Sequence, residues 1–281
     1  MMMNIGIRLH DTRSGTLSER LSYAKAQGFS CAHVALSKCL PDFAMADAPK
    51  LLDEALAARV RADFADAGMD FAVLGCYLQL AQRDAGARAR TQEIYKAHLR
   101  FAAMAGARVV GTETPAGSEK FAGPQWASEE AFELFIDSVR PVVRYAEEVG
   151  AVLAVEPVVD HIVSTPQRAE RMLDALNSDH VQIILDAINL LASAELDRAD
   201  AIIEESIRRF GDRVRILHWK DYVEAPGDFR PRSLACGLGV MNYDRLLRFA
   251  KQNGLPMTLE DTVPENAEAA RLHLERVGAA L

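Results

Sequence analysis

The sequence predicts a single (β/α)8 barrel that spans residues 1–281. Three observations lead to this prediction. Short apolar runs alternate with longer amphipathic stretches along the whole chain, a glycine closes five of those stretches, and no nucleotide-binding glycine motif opens the chain. Strand-length apolar runs that alternate with helical stretches imply βαβ units and therefore a parallel sheet.

The predicted strands are short, apolar and often β-branched, as expected of strands that are buried on both faces. They lie at residues 5–9, 32–36, 71–74, 108–111, 152–156, 181–186, 214–219 and 257–260. The predicted helices lie at residues 17–26, 51–67, 91–105, 129–148, 166–176, 199–210, 244–253 and 265–277. Pro141 falls inside the fourth helix and is expected to kink or break it, because proline lacks the backbone donor of an intrahelical bond.

A glycine follows each of five predicted helices. Gly28, Gly68, Gly106, Gly150 and Gly254 each follow a helical stretch and precede a strand, where a left-handed residue commonly ends a helix. A doubly wound open sheet is the competing fold, but it usually carries a glycine-rich turn after its first strand. The corresponding segment here, NIGIRLHDTRSG, contains neither GxGxxG nor a P-loop, so a barrel is favoured.

The composition favours a globular protein and argues against nucleic-acid binding and membrane association. The chain is 49% hydrophobic and 26% charged, as in globular proteins, and its net charge of -8 argues against nucleic acid as a partner. No signal peptide opens the chain and no run of about 18 apolar residues occurs, so no membrane association is expected. The four cysteines form no CxxC pair, and reduced thiols in a cytoplasmic protein are the expectation.

Each of the last four predicted strands ends in a residue that can bind a metal ion, namely Glu156, Asp186, His218 and Glu260. Alternation along each strand places these side chains on the inward face, above small or apolar residues. A single carboxylate here would more often cap a loop, and a lone inward histidine is usually a core residue. Four such residues on consecutive strands, at the rim where barrel active sites lie, instead need a counter-charge. The set predicts one divalent metal ion, Mn²⁺, Mg²⁺, Co²⁺ or Zn²⁺.

Further candidates lie beside this rim. Lys220, one pleat beyond the strand-seven ligand, either stabilises a developing oxyanion or pairs with Asp221 or another rim carboxylate. Glu113, His161 and Arg230 follow predicted strands four, five and seven and are candidate substrate contacts. Loop capping is the alternative for Glu113, and simple solvent exposure is the alternative for Arg230.

The chain resembles the xylose isomerase-like barrel superfamily, in particular the sugar-phosphate isomerase/epimerase-like group that includes ketose 3-epimerases. The likeness rests on the segments RPVVRYAEEVGAVLAVEP, LDAINLL, HWKDY, GLGVMNYDRLL and LEDT, in that order. It implies that Glu156, Asp186, His218 and Glu260 are the family's metal ligands. It also implies that the two glutamates act as an acid/base pair around a metal-stabilised enediolate, giving inversion at one substrate carbon. Dimers are common among these relatives, so a homodimer is one expectation.

Two positions depart from the ketose 3-epimerases. Asn189 stands three residues after the strand-six aspartate, where those enzymes usually carry a histidine, and it is kept as a candidate substrate contact. Lys220 and Asp221 follow the strand-seven histidine, where those enzymes carry an arginine shortly afterwards. Both departures weaken the case for simple ketose 3-epimerisation. They leave an isomerase or epimerase of a small carbohydrate or related polyol as the prediction, with phosphorylation of the substrate undecided.

Three other functions compete with this prediction. A metal-dependent dehydratase of an inosose- or shikimate-like keto compound needs the same enolate, followed by loss of a hydroxyl group. A phosphodiesterase is disfavoured, because the DNA-repair members of the superfamily recruit histidines from strands three and four. Those rims read LGCYLQLA and GTETPAG here and contain no histidine. A non-catalytic sugar-binding barrel is disfavoured because both acid/base glutamates are present.

Overall fold

A computed structural model describes residues 3–120 and 128–281 of the protein. Its strands are β1 Ile5–Arg8, β2 Cys31–Val34, β3 Asp70–Gly75, β4 Val109–Thr112, β5 Leu153–Val155, β6 Val181–Asp186, β7 Val214–Trp219, β8 Asp221–Val223, β9 Arg232–Leu234 and β10 Met257–Leu259. All except β8 and β9 form a closed barrel in the order β1-β10-β7-β6-β5-β4-β3-β2, and neighbouring strands are parallel. The predicted fold class is confirmed.

The helices that connect these strands are α1 Leu17–Ala26, α2 Leu36–Cys39, α3 Ala48–Leu51, α4 Glu54–Ala67, α5 Ala85–Ala105, α6 Glu129–Val149, α7 Pro166–Leu176, α8 Ala199–Phe210, α9 Asp244–Asn253 and α10 Ala267–Ala280. The five glycines that were expected to close helices all have positive φ, between 60° and 87°. Since a left-handed backbone is readily adopted only by glycine, these helix ends could be predicted from the sequence.

The structure corrects three details of the predicted elements. Helix α6 runs unbroken across Pro141, so the predicted break is wrong. Its apolar face, including Phe135, Val139 and Val142, is buried on both sides of the proline and holds the helix against the barrel. Helix α5 begins six residues before the predicted start at residue 91, at a turn capped by Asp84. The antiparallel hairpin of β8 and β9 was not predicted, because each strand has only three residues.

Small and branched side chains fill the interior of the barrel below the rim. This interior cluster consists of Cys31, Ala72, Val73, Val109, Ala154, Ile184 and Ile216. A larger apolar layer lies between the strands and the surrounding helices, where Trp219 faces outward and stacks on Tyr243 at 5.6 Å. The filled interior confines functional side chains to the rim. No helix in residues 3–120 or 128–281 combines the length and apolarity needed to cross a bilayer.

The buried imidazole of His98 on α5 is expected to make stability depend on pH. Its Nδ1 donates to the carbonyl of Ile94 at 2.8 Å, and burial lowers the pKa of His98 to about 4. Because the folded pKa lies below the unfolded value near 6.5, the unfolded chain gains this proton first as the pH falls. The free energy of unfolding should therefore decrease by up to about 3 kcal/mol between about pH 6.5 and pH 4.

Urea unfolding of the wild type and of His98→Leu across that interval checks this prediction. The variant should lack the contribution of His98, so the difference in unfolding free energy between the two proteins should change with pH. A constant difference would show that His98 does not titrate differently in the folded and unfolded states.

Candidate metal centre

The four predicted metal ligands lie together at one end of the barrel, on or directly after four adjacent strands, β5, β6, β7 and β10. All are buried, with exposed fractions between 1% and 6%. Nδ1 of His218 lies 2.9 Å from Oε2 of Glu156 and 3.2 Å from Oε1 of Glu260. Glu156, Asp186 and His218 each offer a ligand atom within 4.8 Å of the other two.

This arrangement fits a divalent cation. Two adjacent ligands at about 2.1 Å from an octahedral ion lie about 3.0 Å apart, which matches the two separations around Nδ1 of His218. That nitrogen is buried and makes no well-aligned hydrogen bond to either glutamate. Oδ2 of Asp186 also has no well-aligned hydrogen-bond donor, although Nζ of Lys220 lies 3.0 Å from it. The other oxygen of Asp186, Oδ1, accepts from the backbone N–H groups of Ile188 and Asn189 at 2.9 and 3.1 Å. Backbone N–H groups thus hold one oxygen of this aspartate, and the second pairs with the ammonium group of Lys220.

The electrostatics of the rim also favour a cation. Burial opposes a positive charge on His218, yet the carboxylates of Glu260 and Glu156 raise its pKa to about 9. Burial opposes ionisation of Glu260 as well, but His218, Lys220 and Arg8 hold its pKa below the ordinary value. The rim therefore attracts positive charge to the position between its carboxylates, and a metal ion can replace the imidazole proton there.

Lys220 is buried within this cluster of charges. Its Nζ lies 3.0 Å from Oδ2 of Asp186 and 3.5 Å from Oε2 of Glu260, and it donates to Oδ1 of Asn189 at 2.9 Å. Burial would lower the pKa of this lysine, but Asp186 and Glu260 raise it above its usual value. Pairing with rim carboxylates is thus observed, whereas the suggested pairing with Asp221 is wrong.

Asp221 instead anchors the segment that follows the hairpin. Its fully buried carboxylate accepts hydrogen bonds from four backbone N–H groups and one hydroxyl group. The donors are Tyr222 N, Gly237 N, Gly239 N, Met241 N and Tyr243 Oη, at distances between 2.7 and 3.0 Å. These bonds fix the base of the β8–β9 hairpin directly beside Lys220.

The structure places two of the candidate substrate contacts, Asn189 and Arg230, in contact with other protein groups. Arg230 extends from the hairpin, where it donates to Oδ1 of Asn189 at 2.5 Å and lies 3.5 Å from Oδ1 of Asp160. The amide nitrogen of Asn189 donates to Oε1 of Glu156 at 2.5 Å. Arg230 is therefore held at the rim by Asn189 and Asp160, although its side chain remains 37% exposed.

The remaining two candidates lie beside each other at the rim. Nδ1 of His161 is 3.6 Å from Oε2 of Glu113, and Glu113 lines the cavity next to the predicted ligands. Burial, followed by the charges of Glu156 and Glu260, raises the pKa of Glu113 to about 8. Their contact with a substrate remains a prediction.

The sequence analysis missed His33 and Tyr77. His33 on β2 is buried and stacks on His218 with ring centroids 5.3 Å apart. Its Nδ1 lies 4.0 Å from Oε1 of Glu260, and its Nε2 lies 3.2 Å from the hydroxyl of Tyr77. His33, His218 and Glu260 form a second group of side chains that could hold a metal ion. Strand alternation in CAHV is a signal for the inward direction of His33, but His33 lies near the start of its predicted strand and not at the end, where the other candidates lie.

A cavity of about 400 Å³ opens on this side of the rim. Among its lining residues are Arg8, His10, His33, Tyr77, Glu113 and Glu260. The volume lies within the range typical of small-molecule sites. Polar groups from β1, β2 and β3 thus face the predicted ligands across a space large enough for a small polyol.

The structure is a (β/α)8 barrel with a set of side chains at the C-terminal ends of its strands that could hold a metal ion. The family described as xylose isomerase-like TIM barrel matches residues 21–277, and the chain belongs to that family. No curated protein gives a significant sequence match.

Several solved structures share the fold. The 3-keto-D-glucoside 4-epimerase YcjR from E. coli superposes with a TM-score of 0.76 at 17% identity, covering 98% of this chain and 100% of that one. The IolI protein with a bound zinc atom superposes with a TM-score of 0.74 at 19% identity, covering 99% and 97%. The probable 3-DHS dehydratase AsbF from Bacillus anthracis superposes with a TM-score of 0.73 at 11% identity, covering 98% of each chain. At these identities the likeness shows a common fold.

Proposed function

We propose that this protein is a divalent-metal-dependent isomerase or epimerase of a small carbohydrate or related polyol. The observation that carries the proposal is the position of two buried glutamates at the two ends of a four-strand arc. Glu156 follows β5 and Glu260 follows β10, and both carboxylates approach Nδ1 of His218, which lies between them. Two carboxylates so placed can remove a proton from a bound substrate and return one from another direction.

The remaining residues of the rim have roles consistent with proton transfer. A divalent ion held by Glu156, Asp186, His218 and Glu260 would polarise a substrate carbonyl and acidify the neighbouring C–H bond. Lys220 holds positive charge next to Asp186 and Glu260, where an oxyanion of the substrate would be stabilised. The cavity lined by Arg8, His33 and Tyr77 supplies donors for hydroxyl groups. We propose that its ligand is a carbohydrate-like small molecule.

A dehydratase is the second candidate, and the position of Glu113 favours it. The carboxyl group of Glu113 lines the same cavity, and its pKa, raised to about 8, allows it to hold a proton near neutral pH. A group of this kind can protonate a departing hydroxyl. A cation bound nearby would lower this pKa, so the pH profile of the metal-loaded protein bears directly on this role.

Metal content and hydrogen exchange together test the proposed function. Mass spectrometry of the purified protein should find a divalent ion whose content falls in both Glu156→Gln and Glu260→Gln. The metal-loaded protein, incubated with a panel of ketoses and ketopolyols in D₂O, should then introduce deuterium at the carbon next to the carbonyl. Deuterium without loss of water supports an isomerase or epimerase, and an unsaturated product supports the dehydratase. If the protein binds no divalent ion even when one is supplied, both candidates fail.

A further inference from the structure

We infer that Asn189 is a positioning residue that fixes the orientation of the Glu156 carboxylate and so sets which of its oxygens faces the metal ligands. This inference rests on the proposed function only in that Glu156 is taken to bind a metal ion. Asn189 stands where the sequence analysis expected a substrate contact, but its side chain is 5% exposed and its polar atoms contact protein groups.

The orientation of the Asn189 amide follows from the chemistry of its partners. Nζ of Lys220 lies 2.9 Å from Oδ1 of Asn189, and a guanidinium nitrogen of Arg230 reaches the same oxygen. Lysine and arginine side chains only donate hydrogen bonds, so both require the carbonyl oxygen of the amide to face them. The amide nitrogen must then face Glu156, and it donates to Oε1 of that carboxylate.

Because of this hydrogen bond, the two oxygens of Glu156 have different partners. Oε1 is occupied by Asn189, whereas Oε2 lies 2.9 Å from Nδ1 of His218, among the other ligands. The adjacent aspartate is arranged similarly, since backbone N–H groups occupy Oδ1 of Asp186, whereas Oδ2 faces Nζ of Lys220 at 3.0 Å. Groups that hold a ligating carboxylate in this way commonly change metal affinity by about 10–100-fold when they are removed.

Arg230 extends this arrangement to the hairpin. Because Arg230 lies between β8 and β9, the donor that helps to fix Asn189 comes from the segment whose base Asp221 anchors. Two groups thereby support the orientation of Glu156 through Asn189. One is Arg230 on the hairpin, and the other is Lys220, directly after β7. The Asn189 amide therefore links Glu156 to the hairpin and is not free to contact a substrate.

A double-mutant cycle on metal affinity tests the inference without any substrate. Mn²⁺ affinity would be measured by calorimetry for the wild type, Asn189→Leu, Glu156→Ala and the double variant. Leucine has the same branching and the same number of heavy atoms as asparagine but makes no hydrogen bond, and the smaller Asn189→Ala provides a second variant if the bulkier leucine disturbs folding. We expect Asn189→Leu to weaken Mn²⁺ binding by about 10–100-fold in the wild-type background and by less than about 3-fold once Glu156 is absent.

The matched control repeats the cycle with Glu260→Ala, because Asn189 makes no hydrogen bond to Glu260 among those the structure describes. There the weakening caused by Asn189→Leu should persist in full. Equal weakening with and without Glu156 would overturn the inference, since Asn189 would then act through Lys220 or through the fold. No weakening in the wild-type background would overturn it as well, and so would a wild type that binds no Mn²⁺. Intact coupling without deuterium exchange would refute the proposed isomerase alone.

Discussion

Replacing Glu260 with glutamine is expected to lower the rate of deuterium exchange into the substrate by about 10²–10⁴-fold, the usual contribution of a positioned acid or base. The carboxylate lies 3.2 Å from Nδ1 of His218 and 3.5 Å from both Nζ of Lys220 and Nη1 of Arg8. These neighbours hold its pKa below the ordinary value, so it is in the ionised form that a proton acceptor must have. Glutamine keeps the shape of the side chain but cannot accept that proton.

The measurement is the rate of exchange in D₂O at saturating Mn²⁺, so that weaker metal binding by the variant does not limit the comparison. Glu265→Gln is the matched control, because Glu265 is exposed beyond the rim and should leave the rate unchanged. Exchange at the wild-type rate in Glu260→Gln would remove Glu260 from the proton-transfer pair.

Replacing Lys220 with methionine should have the largest effect on stability. Its ammonium group lies between Asp186 and Glu260, and all three side chains are buried. Removing one partner of a buried ion pair typically costs about 3–5 kcal/mol, because the remaining charge is left uncompensated. The metal-free variant is therefore expected to lose about that much unfolding free energy, and Mn²⁺ should restore part of it by supplying positive charge to the same carboxylates.

Urea unfolding with chelator and with excess Mn²⁺ checks this expectation, and Lys50→Met on the exposed surface of α3 serves as the control. If Lys220→Met loses the same unfolding free energy with chelator and with excess Mn²⁺, Lys220 does not share its charge-balancing role with the metal. Exchange in D₂O then separates the two interpretations of this lysine. A decrease of about 10²-fold or more with metal bound indicates oxyanion stabilisation, whereas an unchanged rate assigns Lys220 to charge balance alone.

Local periodicity was enough to predict the barrel and the convergence of the four predicted ligands. A side chain at the end of a buried strand has its direction fixed by alternation, as for Glu156 above Ala154 and His218 above Ile216. Parallel strands that close into a barrel bring such ends to one rim. The ends of five helices could likewise be predicted from their glycines, because only glycine adopts the left-handed conformation at little cost in free energy.

Only the tertiary structure showed which polar groups meet across the rim. Lys220 and Arg230 lie 31 and 41 residues after Asn189 in the sequence, and no period along the chain records that the Asn189 amide bridges both of them to Glu156. The β8–β9 hairpin carries Arg230 inward, and its three-residue strands are too short to show alternation. Hydrogen bonds between loops depend on distance and direction in space, whereas sequence patterns report the burial of one face. For this reason the convergence of the four candidate ligands could be predicted from the sequence, whereas the contacts that orient their side chains could not.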